Sequence, residues 1–194
     1  GVHAVLEEDE ELYLVMDFIA GPSLGSLIRE RGRIELGFCR DIIGNVCAAV
    51  DSAHGKKVMH RDLKPDNILL AEGKIARVAD FGLARLVKDT LSQSSSSGQI
   101  GTPAYMAPEQ HVGAAKTQSD VYAVGVCLYE MLTGQLPFQG PDFLSEKLRA
   151  TFPPARELAL GLPAAVDELI RASLEPAVEK RLQTAREFSE GLSA

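Results

Sequence analysis

The sequence predicts an α+β fold that is mainly α, and three observations carry that prediction. After about residue 24, apolar residues recur at helical spacing over most of the chain. Two apolar runs at the start, 2–6 and 12–19, are too short for helices and read as the strands of a hairpin. One stretch, 119–133, is apolar almost all round, as a helix at the centre of a domain must be.

In order along the chain, the hairpin takes the acidic block Glu7–Glu11 as its solvated turn. Gly21–Pro22 breaks the run, and Ser23 caps a short helix over 24–30. From 35 to 54, Leu36, Cys39, Ile42, Ile43, Val46, Cys47, Val50 and Ala53 form one helical stripe, with Gly55 as its stop. Two strands follow, Asn67–Leu70 and Ile75–Ala79, joined by a turn at Glu72–Gly73. An irregular segment from about 80 to 108 includes the serine-rich tract 92–97, and loops this long in compact domains are functional or disordered. The central helix 119–133 ends at Gly134. Helices at about 141–150, 163–174 and 184–193 complete the chain, the last opening with the capping-box pattern Thr184-Ala185-Arg186-Glu187.

The 194 residues suffice for one domain with a real core, and 45% hydrophobic with 24% charged is ordinary for a globular protein. A net charge of −7 argues against a nucleic-acid surface, which needs clustered Lys and Arg. No run approaches the roughly 20 apolar residues of a membrane-spanning helix. Cys39, Cys47 and Cys127 cannot all pair and lack metal-ligand spacing, so they read as small buried thiols in a reducing, cytoplasmic setting.

The strongest local signal is His60-Arg61-Asp62-Leu63-Lys64-Pro65-Asp66-Asn67. Thirteen residues after Asn67 comes Asp80-Phe81-Gly82, followed by Ala107-Pro108-Glu109 and Ser119-Asp120-Val121-Tyr122. Each tripeptide alone is weak, but their order and spacing together resemble the serine/threonine protein kinases, over essentially the whole chain. Lys64-Pro65 and Gly101-Thr102-Pro103 resemble the serine/threonine class, not the tyrosine class. The segments MAPEQ, SDVYAVGV, YEMLTGQLPF and EKRLQTAREF resemble its bacterial, eukaryotic-like subgroup.

The resemblance implies transfer of the γ-phosphoryl group of ATP to Ser or Thr of protein substrates. Such chemistry is mainly positioning and charge stabilisation. Asp62 takes the place of the catalytic base, Lys64 lies beside the γ-phosphate, and Thr102 hydrogen-bonds near both. Asn67 and Asp80 supply the hard oxygen ligands that Mg2+ prefers. Met16 falls at the gatekeeper position of the hinge, Asp17 and Ile19 offer backbone groups to adenine, and Leu69 floors the adenine pocket. His60 and Phe81 belong to the apolar spine, with His60 a packing residue and not an acid or base. Arg61 precedes the base, as in kinases switched by phosphorylation, and Thr90, Ser92, Ser94, Ser95, Ser96 and Ser97 are the candidate acceptors. Glu109 and Arg181 match the family's buried ion pair. Leu182 departs from the family, which usually has Pro there.

In the same terms, residues 1–20 read as the last strands and hinge of a kinase small lobe, and 21–194 as the large lobe. The chain opens on Gly1 in an apolar strand, without the glycine-rich loop, the strand lysine or the helix glutamate that clamp ATP phosphates. The expectation is a truncated kinase, inactive alone, with the rest of its small lobe encoded upstream. The alternative is a half-kinase or pseudokinase acting as a binding scaffold. Intact Asp62, Lys64, Asn67 and Asp80 speak against that alternative.

Overall fold

The longest stretches of helical periodicity become helices in this computed structural model, which describes residues 2–8, 11–71, 75–81 and 102–194. The strands are β1 (Val2–Glu8), β2 (Glu11–Met16), β3 (Ile68–Ala71) and β4 (Ile75–Val78). The helices are α1 (Leu24–Arg31), α2 (Leu36–Gly55), α3 (Pro108–His111), α4 (Thr117–Thr133), α5 (Phe143–Arg149), α6 (Ala155–Leu158), α7 (Ala164–Ser173) and α8 (Ala185–Ser193). The fold is α+β and mainly α, as expected.

The apolar-all-round stretch becomes α4, in which every residue from Ser119 to Thr133 except Glu130 is buried. The apolar stripe of α2 (Cys39, Ile42, Ile43, Val46, Cys47 and Val50) is likewise buried, and α2 packs against α4, α8 and β4. Asn45 on α2 accepts the Ala76 amide of β4 at 3.1 Å, so a helix side chain helps hold the second hairpin. Helices α4 and α7 approach closely where Gly125 meets Ser173. A Cβ at residue 125 would lie 2.1 Å from the Ser173 hydroxyl, so only glycine fits. Gly134 ends α4 at φ 72°, and its amide donates to Glu130 O.

The caps follow the sequence with small displacements. Ser23 accepts from the Ser26 amide at 3.1 Å and starts α1. Thr184 accepts from the Glu187 amide, but Glu187 reaches back to the amide of Gln183 instead of Thr184. Pro141 lies before α5, and Asp142 caps it by accepting from Ser145. Gly55 is the last residue of α2, and the turn falls on Lys56 and Lys57, the latter at φ 62°.

Three sequence expectations are corrected. The acidic block is not all turn: Glu7 and Glu8 belong to β1 and Glu11 to β2, where Glu8 pairs with Glu11. Strand pairing there is set by the backbone ladder, so the exposed Glu7 and Glu8 are carried along. The second run stops at Met16, and 17–20 are irregular. Asn67 sits in a one-turn 3-10 segment, Pro65–Asn67, because Pro65 favours the first position of such a turn. Helix α6 was not expected, since four residues carry too little periodicity to read.

β1 and β2 form one antiparallel pair, and β3 and β4 a second, with Ile68 opposite Val78 and Ala71 opposite Ile75. The segment after β2 runs beside β3: Leu70 donates to Pro22 O at 3.0 Å, and Ser23 bridges Leu69. All three cysteines are free and buried. Burial pushes the thiols of Cys39 and Cys47 up to about 12 and that of Cys127 up as well, so they pack as small hydrophobes. No helix among the described residues is long and apolar enough to cross a membrane.

Candidate active site

The loop between α2 and β3 owes its shape to a carboxylate from another element. Asp120, buried in the first turn of α4, accepts the His60 amide and the Arg61 amide, both at 2.9 Å. Its Oδ2 also meets His54 Nε2 of α2 at 2.7 Å. Arg61 is held at φ 72°, a conformation non-glycine residues avoid, and these bonds offset its cost. Gln110 of α3 adds a further tie, donating to Arg61 O at 2.8 Å while accepting the Ala107 amide at 2.9 Å.

On that loop, Asp62 becomes the centre of a small network. The Thr102 amide donates to Asp62 Oδ1 at 2.9 Å, and the Thr102 hydroxyl does so at 3.2 Å. Lys64 Nζ lies 3.0 Å from Asp62 Oδ2 and donates to the Thr102 hydroxyl at 2.8 Å. Two segments forty residues apart thus converge on one partly exposed carboxylate. Charge-assisted bonds of this kind fix a carboxylate's orientation.

Asn67 donates from Nδ2 to Asp62 O at 2.8 Å, which turns its amide oxygen away from that carbonyl. Asn67 O accepts the Ala79 amide at 2.8 Å, so the residue next to Asp80 is bonded to Asn67. Asp80 is exposed at φ 62° and has no hydrogen-bond or ion-pair partner among the described residues. An amide oxygen and an unpaired carboxylate are hard donors, and that chemistry fits Mg2+ completed by water and phosphate oxygens. Among the described residues there is no cluster of three or more His, Cys, Asp or Glu that could hold a metal ion.

His60 is fully buried. Its Nδ1 accepts the Asp62 amide at 3.3 Å, so Nε2 carries the proton and donates to Ala79 O at 2.8 Å. Its ring lies 4.8 Å from that of Phe81. Both ring nitrogens are engaged in structure, consistent with the packing role expected. Of the expected hinge residues, Met16 ends β2, Asp17 and Ile19 lie in the irregular stretch after it, and Leu69 is in β3. Met16 and Asp17 are exposed, and Ile19 and Leu69 are half-buried. Thr90, Ser92, Ser94, Ser95, Ser96 and Ser97 lie outside the described residues, and Arg61 of that expected switch is half-buried.

Glu109 and Arg181 pair as expected, at 2.7 and 3.0 Å, with the Arg181 side chain wholly buried. Leu182 donates its amide to Ala172 O at 3.3 Å, a bond that proline in its place would lack. Sequence reasoning noted the motif holding Asp120 but gave that residue no role. The available signal was that Asp120 is one of two carboxylates, with Glu130, in a helix otherwise apolar almost all round, and a buried charge demands partners. Gln110 and His54 carried no such signal: Gln110 lies in a four-residue helix too short to show periodicity, and His54 is a polar residue near the end of the amphipathic α2.

These features define a helical domain with a framed carboxylate beside two hard oxygen donors. The chain belongs to the protein kinase domain family, whose model matches residues 1–190. It is 34% identical over 186 residues to a probable serine/threonine-protein kinase of Clostridium acetobutylicum, covering 93% of this chain and 28% of that protein. It is 38% identical over 199 residues to serine/threonine-protein kinase pkn2 of Myxococcus xanthus, covering 97% of this chain and 24% of that protein. Similarity to serine/threonine-protein kinase PknL of Mycobacterium tuberculosis reaches 40% over 162 residues, covering 81% of this chain and 40% of that protein. The chain therefore spans between about a quarter and two fifths of the length of these curated relatives.

Proposed function

We propose that the chain supplies the catalytic loop and metal ligands of a protein serine/threonine kinase, transferring the γ-phosphoryl group of ATP to a Ser or Thr hydroxyl. The observation that carries this reading is the Asp62–Lys64–Thr102 network, which fixes one partly exposed carboxylate between a lysine and a threonine. In the reaction, the hydroxyl oxygen bonds to the γ-phosphorus and the bond from that phosphorus to the β–γ bridging oxygen breaks. ADP leaves, and the hydroxyl proton passes to Asp62. Thr102 holds Asp62 in orientation, and Lys64 offsets negative charge on the phosphoryl oxygens. Asn67 and Asp80 would hold Mg2+, which when bound neutralises phosphate charge. Met16, Asp17, Ile19 and Leu69 form the proposed adenine side. Residues 1–20 are assigned to the small lobe and 21–194 to the large lobe, and the buried thiols suit a cytoplasmic setting.

The test is transfer of labelled phosphate from ATP to a generic protein substrate by the natural full-length polypeptide carrying these residues. Asp62→Asn should lower kcat by about 10²–10⁴-fold, the range for removing a general base. Asp80→Asn should shift activity to higher magnesium concentration. Near wild-type kcat in Asp62→Asn, or indifference of Asp80→Asn to magnesium, overturns these roles.

A further inference from the structure

Lys147 occupies a place where lysine is seldom found. It lies on α5, is 0% exposed, and no carboxylate among the described residues pairs with it. Its ammonium donates to Pro103 O at 2.5 Å and to Met106 O at 2.6 Å. The rings of Phe143 and Tyr122 flank it at 5.3 and 5.9 Å. Burial pushes its pKa down to about 7, which expresses the cost of taking the charge out of water. An apolar side chain would fill this space without that cost, so stability alone does not account for a lysine here.

The two carbonyls it holds identify the purpose. Pro103 and Met106 bracket the turn that follows Thr102, and Thr102 is bonded to Asp62. The Tyr105 amide donates to Thr102 O within the same turn, and the Tyr105 hydroxyl donates to Glu130 of α4 at 2.7 Å. The turn is thus fixed on three sides: by Asp62, by Glu130, and from beneath by Lys147. Pro103 is exposed, whereas Ala104 and Met106 are buried. A polypeptide whose hydroxyl reaches Asp62 must lay its adjoining residues over Thr102 and Pro103.

We infer that Lys147 is a positioning residue for the polypeptide substrate, clamping the Pro103 and Met106 carbonyls so that the 103–106 turn presents a preformed rest for the chain beside the acceptor hydroxyl. The inference builds on the kinase reading above. It assigns Lys147 no contact with ATP or with the reacting atoms. Losing the clamp loosens the surface that receives the peptide and leaves the nucleotide side unaltered.

The test uses the full-length polypeptide with Lys147→Met, which matches the lysine stem in length but donates nothing, and Lys147→Arg, which keeps the charge and the donors. In Lys147→Met, KM for a peptide substrate should rise about tenfold, the scale of a lost charged hydrogen bond, while KM for ATP stays within about twofold. Lys147→Arg should recover most of the peptide affinity. A purely structural lysine would instead lower kcat in proportion to the folded fraction and leave both KM values alone. Hydrogen exchange gives a readout independent of activity: the Thr102 and Tyr105 amides should exchange about tenfold faster in Lys147→Met. Should Lys147→Met fail to fold, Lys147→Gln, which keeps one donating group, is read in its place by the same two measurements. An unchanged peptide KM, or wild-type exchange at Thr102 and Tyr105, overturns the assignment. A wild-type protein that transfers no phosphate would overturn the kinase reading instead, and the exchange pattern would still decide whether Lys147 holds the turn.

Discussion

Replacing Arg181 by methionine should cost this domain about 4 kcal/mol, from the middle of the 3–5 kcal/mol range for breaking a buried ion pair. The Arg181 side chain is 0% exposed and that of Glu109 only 10%, so water does not replace the lost partner. Its guanidinium makes paired bonds to Glu109 and also donates to the carbonyls of Glu175, Gln118 and Pro176. Glu109 retains one bond, from the Ser119 hydroxyl at 2.6 Å, which keeps the cost from the top of the range. At about 2–4 °C per kcal/mol for a domain of this size, the melting temperature should fall by roughly 8–16 °C. Denaturant unfolding followed by circular dichroism measures it, with Glu109→Gln and the double variant completing a cycle. The double variant should recover much of the loss, because no unpaired charge stays buried. The pH dependence has a defined sign. Burial pushes the Glu109 carboxyl up, but the hydrogen bonds from Arg181 and Ser119, with the guanidinium charge, outweigh it and hold the group below its ordinary value. Its contribution is therefore complete above about pH 4.5 and is lost as pH falls through the folded value, so wild type and Glu109→Gln should converge in acid. A loss under about 1 kcal/mol in Arg181→Met would refute the reasoning, since it would make the pair energetically equivalent to an exposed one.

Gly125→Ala places a Cβ 2.1 Å from the Ser173 hydroxyl and should destabilise by about 1–3 kcal/mol, with Ser173→Gly relieving it; thermal unfolding of the single and double variants decides. Thr102→Val removes the hydroxyl between Lys64 and Asp62 but keeps the amide bond to Asp62, so kcat should fall about tenfold with stability nearly unchanged. An unaltered kcat would mean that the hydroxyl does not orient Asp62.

Those features that depend on periodicity were legible in the sequence. The α2 stripe and the all-apolar α4 were read correctly because burial leaves a repeating trace in residue type. The proposed catalytic string was legible because the chemistry it is assigned demands particular residues in a fixed order. What stayed hidden were side chains whose meaning depends on a distant partner. Lys147 sits in Ser-Glu-Lys-Leu-Arg, which reads as a charged surface helix, yet it is interior, bonded to the 103–106 turn and flanked by the rings of Phe143 and Tyr122. Glu7 and Glu8 misled for the converse reason: charge suggests a turn, but the backbone ladder of a hairpin tolerates charge on an exposed strand.

Asp120 has a consequence for how such chains diverge. It receives the backbone of His60 and Arg61 and the ring of His54, but no atom of Asp62, Lys64 or Asn67. The shape of the loop and the chemistry it displays are thus inherited through different residues. On the proposed kinase reading, a descendant that loses Asp62 or Lys64 keeps its anchor, and with it a folded loop, so activity can decay while the domain survives as a recognition module. Loss of Asp120 removes the bonds to the His60 and strained Arg61 amides, and with them an anchor of the loop that carries Asp62, Lys64 and Asn67. In a set of divergent copies, residue 120 should therefore report which have kept the architecture, and residue 62 which of those retain the proposed base.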